Sequence, residues 1–222
     1  MTADGQLVFE LRAAAEEPQG ALVLLHGRGT DRHDLGPLLE LLDPQRRLVG
    51  ITPQGPLCLP PGGYHWYAVE RVGYPEARSF GETYLMLARW LDALPQLTGV
   101  PWERTVLGGF SQGAVMAYAL GLGQGRPSPA GIIALSGFIP TVPGWRIELG
   151  GREGLAVAIS HGSLDPVIPV QFGRSAYEVL AGAKLDVIFE TSPLAHTIDP
   201  AFVAKLVPWL AGLTAPTPSR HD

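Results

Sequence analysis

The sequence predicts an α/β protein with a mostly parallel central sheet and helices on both faces. Three observations carry this reading. Short apolar runs alternate with helix-patterned segments along all 222 residues. One run, Ala21 to Leu25 (ALVLL), is apolar at every position, as a strand covered on both faces must be. A glycine-rich turn, Gly109-Phe110-Ser111-Gln112-Gly113, stands between a strand pattern and a helix pattern.

The elements follow in order. Strands are expected at Leu7 to Leu11, Ala21 to Leu25, Leu48 to Thr52, Thr105 to Leu107, Ile132 to Leu135, Leu155 to Ile159 and Leu185 to Phe189. A helix is expected from Ser79 to Leu97, with Leu85, Leu87, Ala88, Leu91 and Leu94 as its apolar stripe and Ser79 and Glu82 at capping-box spacing. Ala114 to Leu122 is apolar on most faces and predicts a deeply buried helix. Val170 to Leu180 and Phe202 to Leu213 complete the set. Two Pro- and Gly-rich stretches, Pro53 to Ala77 and Phe138 to Arg152, are too long for plain connections and are expected to frame a pocket. The reading is one domain over residues 1–213, with a small, polar tail expected to fray from Thr214 to Asp222.

Composition excludes several function classes. There are 28 glycines and 21 prolines without a triplet period, so the chain is turn-rich rather than collagenous. The formal net charge is −5 and no window concentrates basic residues, which argues against nucleic acid as a partner. No apolar run approaches the roughly 18 residues of a membrane span. The first residues show no basic segment followed by an apolar run, and Cys58, the single cysteine, cannot form an intramolecular disulfide. Both fit a cytoplasmic setting. The sequence leaves a homodimer open.

The chemistry centres on Ser111. Gly-x-Ser-x-Gly between strand and helix is a nucleophile elbow, a sharp turn that lifts the serine hydroxyl above the sheet edge. Glycines on either side admit neighbouring backbone, and the following helix points its positive end at the site. A serine hydroxyl needs a base, and the base needs an orienting acid. Behind such an elbow the order is Ser, acid, His. His196 follows the last strand, and Asp165 follows the strand before it, so Ser111, Asp165 and His196 form the expected triad. His221 lies in the tail. His161 breaks the order and is expected to hold the Asp165 loop. Asp186 falls in a strand, and Asp199, before Pro200, reads as a helix cap. The backbone N–H groups of Gln112 and Arg28 are the expected oxyanion donors. The Arg28 guanidinium either stays in solvent or binds a substrate carboxylate or phosphate. No His/Asp/Glu cluster has metal-ligand spacing, and neither metal nor other cofactor is expected.

Together, Leu24-Leu25-His26-Gly27-Arg28-Gly29, Gly108-Gly109-Phe110-Ser111-Gln112-Gly113-Ala114, Ser136-Gly137-Phe138, His161-Gly162-Ser163-Leu164-Asp165-Pro166-Val167-Ile168-Pro169 and Ala195-His196 resemble the phospholipase/carboxylesterase family. This is the bacterial carboxylesterase and acyl-protein thioesterase-like branch of the α/β-hydrolases. The resemblance runs from about Leu22 to Leu210. It implies an α/β-hydrolase fold without a large cap domain, the same triad and the same oxyanion donors. Gly63-Tyr64-His65-Trp66-Tyr67 is similar to the family's Trp-aromatic segment, and Trp66, Tyr67 and Phe138 are the expected substrate wall. Arg28 stands where the thioesterases usually carry an apolar residue, and Phe138-Ile139-Pro140 is more like the bacterial esterases. Both departures point away from a long-chain protein thioester. The expected activity is hydrolysis of small to medium carboxylic esters through an acyl-serine. The alternatives are lysophospholipase or acyl-thioesterase activity and, in another class, a catalytically silent ligand-binding homologue.

Overall fold

The computed structural model describes residues 7–214. Its centre is a seven-stranded sheet formed by β1 (Phe9–Arg12), β2 (Gly20–Leu25), β3 (Leu48–Pro53), β8 (Thr105–Phe110), β9 (Gly131–Leu135), β10 (Ala156–Gly162) and β11 (Asp186–Ser192). The spatial order is β1-β3-β2-β8-β9-β10-β11. Only the edge strand β1 runs antiparallel, against β3; the other pairs are parallel. Four further short strands, β4 (Leu57–Cys58) with β5 (Tyr64–His65) and β6 (Val69–Arg71) with β7 (Tyr74–Pro75), form two small hairpins in the first long connection.

The continuous apolar runs divide their side chains between two cores. In β2, Ala21, Val23 and Leu25 face one layer while Leu22 and Leu24 face the other. β9 alternates in the same way, with Ile132 and Ala134 opposite Ile133 and Leu135. This is the two-unit period of a strand expressed on a sheet with no wet face. The first layer holds α2 (Ala77–Asp92), α4 (Gln112–Leu122) and α5 (Gln171–Gly182). The second holds α1 (Gly36–Leu42) and α6 (Pro200–Thr214). Every residue of α4 is buried, as its uniform apolarity predicts.

Several boundaries differ from expectation for physical reasons. The expected helix Ser79 to Leu97 is two helices. α2 starts earlier, because the Glu76 carboxylate accepts from the Arg78 and Ser79 N–H groups and caps it in place of Ser79. α2 then stops at Ala93, and Pro95, which lacks an N–H donor, opens α3 (Leu94–Thr98). The buried stripe of α2 is Phe80, Thr83, Leu87, Ala88 and Leu91; Leu85 is 53% exposed and does not belong to it. Helix α1 was not expected at all, since seven residues show too little of the helical period to register. β8, β10 and β11 each run three residues beyond their apolar runs, carrying the pairing up to the site. Thr214, assigned to the tail, closes α6, buried with its hydroxyl on the Leu210 carbonyl. The rest of the expected tail, residues 215–222, lies outside the described residues. Among the described residues, no helix is long and apolar enough to cross a membrane.

Candidate active site

The strand order reverses between β2 and β8, and the crevice at the carboxyl ends of such a pair is where open α/β sheets hold ligands. Register does the positioning. Leu25 pairs with Gly109, so the loop after β2 lies beside the turn after β8. Gly162 pairs with Ser192, so the loops after β10 and β11 run side by side, joined by Ser163 N–H to Ser192 O at 2.7 Å and Leu164 N–H to Leu194 O at 3.0 Å.

Ser111 sits at φ 55 and ψ −119, a conformation that costs an L-residue about 1–3 kcal/mol and persists only under surrounding constraint. The constraint is visible. A β-carbon at Gly113 would overlap the Leu25 carbonyl, and one at Gly109 would overlap the Gly113 backbone. The Ser111 N–H is held by Leu135 O at 2.9 Å.

Three expected residues form one hydrogen-bonded line. Ser111 Oγ lies 2.9 Å from His196 Nε2, and His196 Nδ1 lies 2.6 Å from Asp165 Oδ2. An ionised Asp165 can only accept, so Nδ1 carries the proton and Nε2 is free to accept from the serine. The Asp165 side chain is fully buried, and its other oxygen accepts from the Val167 and Ile168 N–H groups, both at 2.8 Å. The Phe110 ring packs on the His196 imidazole, centroids 4.8 Å apart.

His161 takes the supporting position expected of it. Its Nε2–H donates to Ile168 O at 2.8 Å, and its Nδ1 has no partner among the described residues. Burial pushes its pKa down, which keeps the ring neutral. His26 plays a comparable part below the neighbouring loop, where the sequence pointed to the Arg28 N–H and gave the His26 side chain no role. Its Nδ1–H donates to Gly27 O at 2.6 Å and its Nε2 accepts from the Gly55 N–H at 2.9 Å, with its pKa likewise lowered by burial.

Arg28 and Gln112 line the same cavity as Ser111 and His196. The Gln112 N–H opens α4, where a helix leaves its first donors unpaired, and the Arg28 N–H has no backbone acceptor among the described residues. The Gln112 side chain has a role the motif did not announce. Its Oε1 accepts from Trp66 N–H at 3.0 Å and its Nε2 donates to Tyr67 O at 2.9 Å, fastening the long loop to the elbow.

The expected substrate wall separates into parts. Tyr67 and Phe138 line the cavity, whose volume is about 560 Å³. Trp66 does not. It is fully buried, with its indole N–H on His26 O at 2.8 Å, so it braces the loop from beneath. Of the second long connection only Phe138 reaches the cavity. The remainder folds back behind α4: Ile147 bridges to Gly123, and the Arg152 guanidinium donates to the carbonyls of Gly121, Gly123, Arg126 and Glu148. Lining residues given no substrate role from the sequence include Val69, Arg71 and Val72, from the β6–β7 hairpin, and Val167 and Ile168, beside Asp165. The first three are marked in sequence only by membership of a long loop, and the last two only by the Asp165 motif. Among the described residues, no three His, Cys, Asp or Glu side chains are grouped to hold a metal.

Comparison with known proteins agrees with this architecture. The family model described as phospholipase/carboxylesterase matches residues 8–213. Acyl-protein thioesterase 1 of Gibberella zeae is 25% identical over 226 residues, covering 88% of this chain and 94% of that protein. Among solved structures, esterase PE8 is 28% identical with a TM-score of 0.80, covering 94% of this chain and 99% of that one. The Bacillus cereus carboxylesterase has a TM-score of 0.82 at 20% identity, covering 93% and 94%, a likeness of fold.

Proposed function

The chain belongs to the phospholipase/carboxylesterase family of α/β-hydrolases, and from that premise we propose that it is a serine carboxylesterase acting on small to medium esters. The observation that carries the proposal is the line Ser111–His196–Asp165, at 2.9 and 2.6 Å.

In this reading Ser111 Oγ attacks the ester carbonyl carbon while His196 Nε2 takes its proton. The carbonyl oxygen, now negative, receives the N–H groups of Arg28 and Gln112; loss of one such donor typically costs about 2.7–4 kcal/mol of transition-state stabilisation. The buried Asp165 carboxylate stabilises the imidazolium. Collapse breaks the C–O bond, and His196 returns the proton to the departing alkoxide. Water, deprotonated by His196, then attacks the acyl-serine and frees the acid and Ser111. Neither metal nor redox cofactor enters these steps. A cytoplasmic setting, and a single domain built on the seven-stranded sheet and closed by α6 at Thr214, complete the reading.

The test is covalent. A fluorophosphonate should add to Ser111, located by peptide mass spectrometry, and Ser111→Ala should remove both the label and turnover of a p-nitrophenyl ester. Labelling at another residue, or activity retained without Ser111, overturns the assignment.

A further inference from the structure

The cavity over Ser111 is walled by Val69, Val72, Phe138 and Val167, yet two cations, Arg28 and Arg71, also line it. The lining contains no aspartate or glutamate. This is unusual in a chain whose net charge is −5. Elsewhere, Arg12, Arg32, Arg78 and Arg126 are paired with acids. Among the described residues, Arg28 and Arg71, like most of the other arginines, have no acid partner, so what sets these two apart is their place in the lining of this cavity.

Arg71 is nonetheless held. Its guanidinium carbon lies 3.7 Å from the centroid of the Tyr74 ring. Stacking engages the flat face of a guanidinium and leaves the N–H donors on its edge free, and that edge matches a carboxylate or phosphate in two-point contact. Arg28 follows β2 on the other loop that borders Ser111, so the two cations come from separate segments around one cavity. Both arginines are exposed at the rim, as are Val69, Val72 and Val167, so an anion there is held in partly solvated contact that salt should screen.

We propose that this site selects esters bearing an anionic group, a carboxylate or phosphate on the acyl or the alcohol half, held by Arg71 and Arg28. The inference rests on the esterase reading, and it names the substrate class within it. Val69, Val72, Phe138 and Val167 then receive the hydrocarbon between the anion and the scissile bond.

The experiment compares matched pairs on the full-length enzyme. On the acyl side, monoethyl glutarate is set against the ethyl ester in which an isopropyl group replaces the free carboxylate, with ethanol release as readout. On the alcohol side, butyryl glycerol phosphate is set against butyryl glycerol, with butyrate release as readout. Preference for the anion in the first pair identifies an acyl-side carboxylate, and in the second an alcohol-side phosphate. The ratio of kcat/KM, anionic over neutral, should fall about tenfold in Arg71→Met and again in Arg28→Met, as expected for a charge-assisted contact. Arg71→Lys should retain part of it. Raising ionic strength should lower the ratio in the unmodified enzyme, a readout that needs no variant. A ratio near or below one in both pairs, or one indifferent to salt and to both substitutions, overturns the proposal while leaving an active esterase. Absence of any ester cleavage together with absence of phosphonate labelling overturns the esterase reading itself.

Discussion

A single methyl group added at Gly173 tests whether the packing behind Asp165 controls the chemistry. Gly173 is buried in the first turn of α5. Replacing a helical glycine with alanine ordinarily stabilises by about 1 kcal/mol. Here the new β-carbon would lie 2.8 Å from His161 Nδ1 and 3.2 Å from its Cβ and Cγ. The His161 ring is fully buried and tethered through Nε2 to Ile168 O, so it cannot retreat without straining that bond. Overpacking of this kind costs about 1–3 kcal/mol, and a weakened hydrogen bond adds about 0.5–1.5 kcal/mol. After the helix gain, Gly173→Ala should be destabilised by about 0.5–3.5 kcal/mol. At about 2–4 °C per kcal/mol for a chain of this size, the melting temperature should fall by roughly 1–14 °C. Activity should fall as well. The Ile168 and Val167 N–H groups hold Asp165, and displacement of a catalytic group by about 1 Å costs up to about 100-fold. Urea unfolding and ester kinetics, normalised to sites titrated with a phosphonate, measure both effects. His161→Ala in the same chain removes the clash, so the double-mutant cycle should show a favourable coupling of about 1 kcal/mol. A Gly173→Ala protein at least as stable as its parent, with unchanged kcat/KM, would refute the reasoning.

Two further outcomes follow from the same geometry. Gln112→Ala leaves the buried Trp66 N–H without its partner, at about 1–3 kcal/mol, while the Tyr67 carbonyl keeps the His65 Nδ1–H at 3.0 Å and loses one of two donors, at about 0.5–1.5 kcal/mol; thermal unfolding should show a loss of roughly 1.5–4.5 kcal/mol, and an unchanged melting temperature would mean that the side chain fastens nothing. His26 and His161 have pKa values lowered by burial, so the unfolded chain binds their protons more readily than the folded one. Their stability contribution is therefore complete above about pH 6.5 and is lost as pH falls below it, by at most about 1.4 kcal/mol per pH unit for each ring. Urea midpoints measured from pH 7.5 down to pH 5 should decline below about 6.5, and a flat profile there contradicts the assignment.

What could be read from sequence was what local chemistry determines. The runs ALVLL and Gly131–Leu135 are apolar at nearly every position, and that alone requires a sheet covered on both faces. Ser111 between Gly109 and Gly113 specifies a tight strand-to-helix turn, and the order of acid and histidine behind it was enough to select Asp165 and His196 over Asp186, Asp199 and His161. Short or cooperative features were not legible. α1 is too brief to show its period, and the start of α2 depended on which of two competing caps reached its first N–H groups.

The tertiary structure alone decided the roles of side chains that meet across long stretches of chain. Trp66 and Tyr67 are adjacent, but one braces a loop from beneath and the other lines the cavity, because the chain bends there and distant groups, His26 O and the Gln112 side chain, fix the turn. Gln112 and Trp66 are joined by a hydrogen bond that no local pattern encodes. Arg71 looks like an ordinary surface cation in sequence, and the Arg28 guanidinium is left there between solvent and a substrate anion; only the register of β2 beside β8 and the folding of the β6–β7 hairpin bring the two to one cavity. Local pattern thus determined the scaffold and the turn that presents Ser111. Which residues surround Ser111 is set by contacts distant in sequence, and those exist only once the chain has folded.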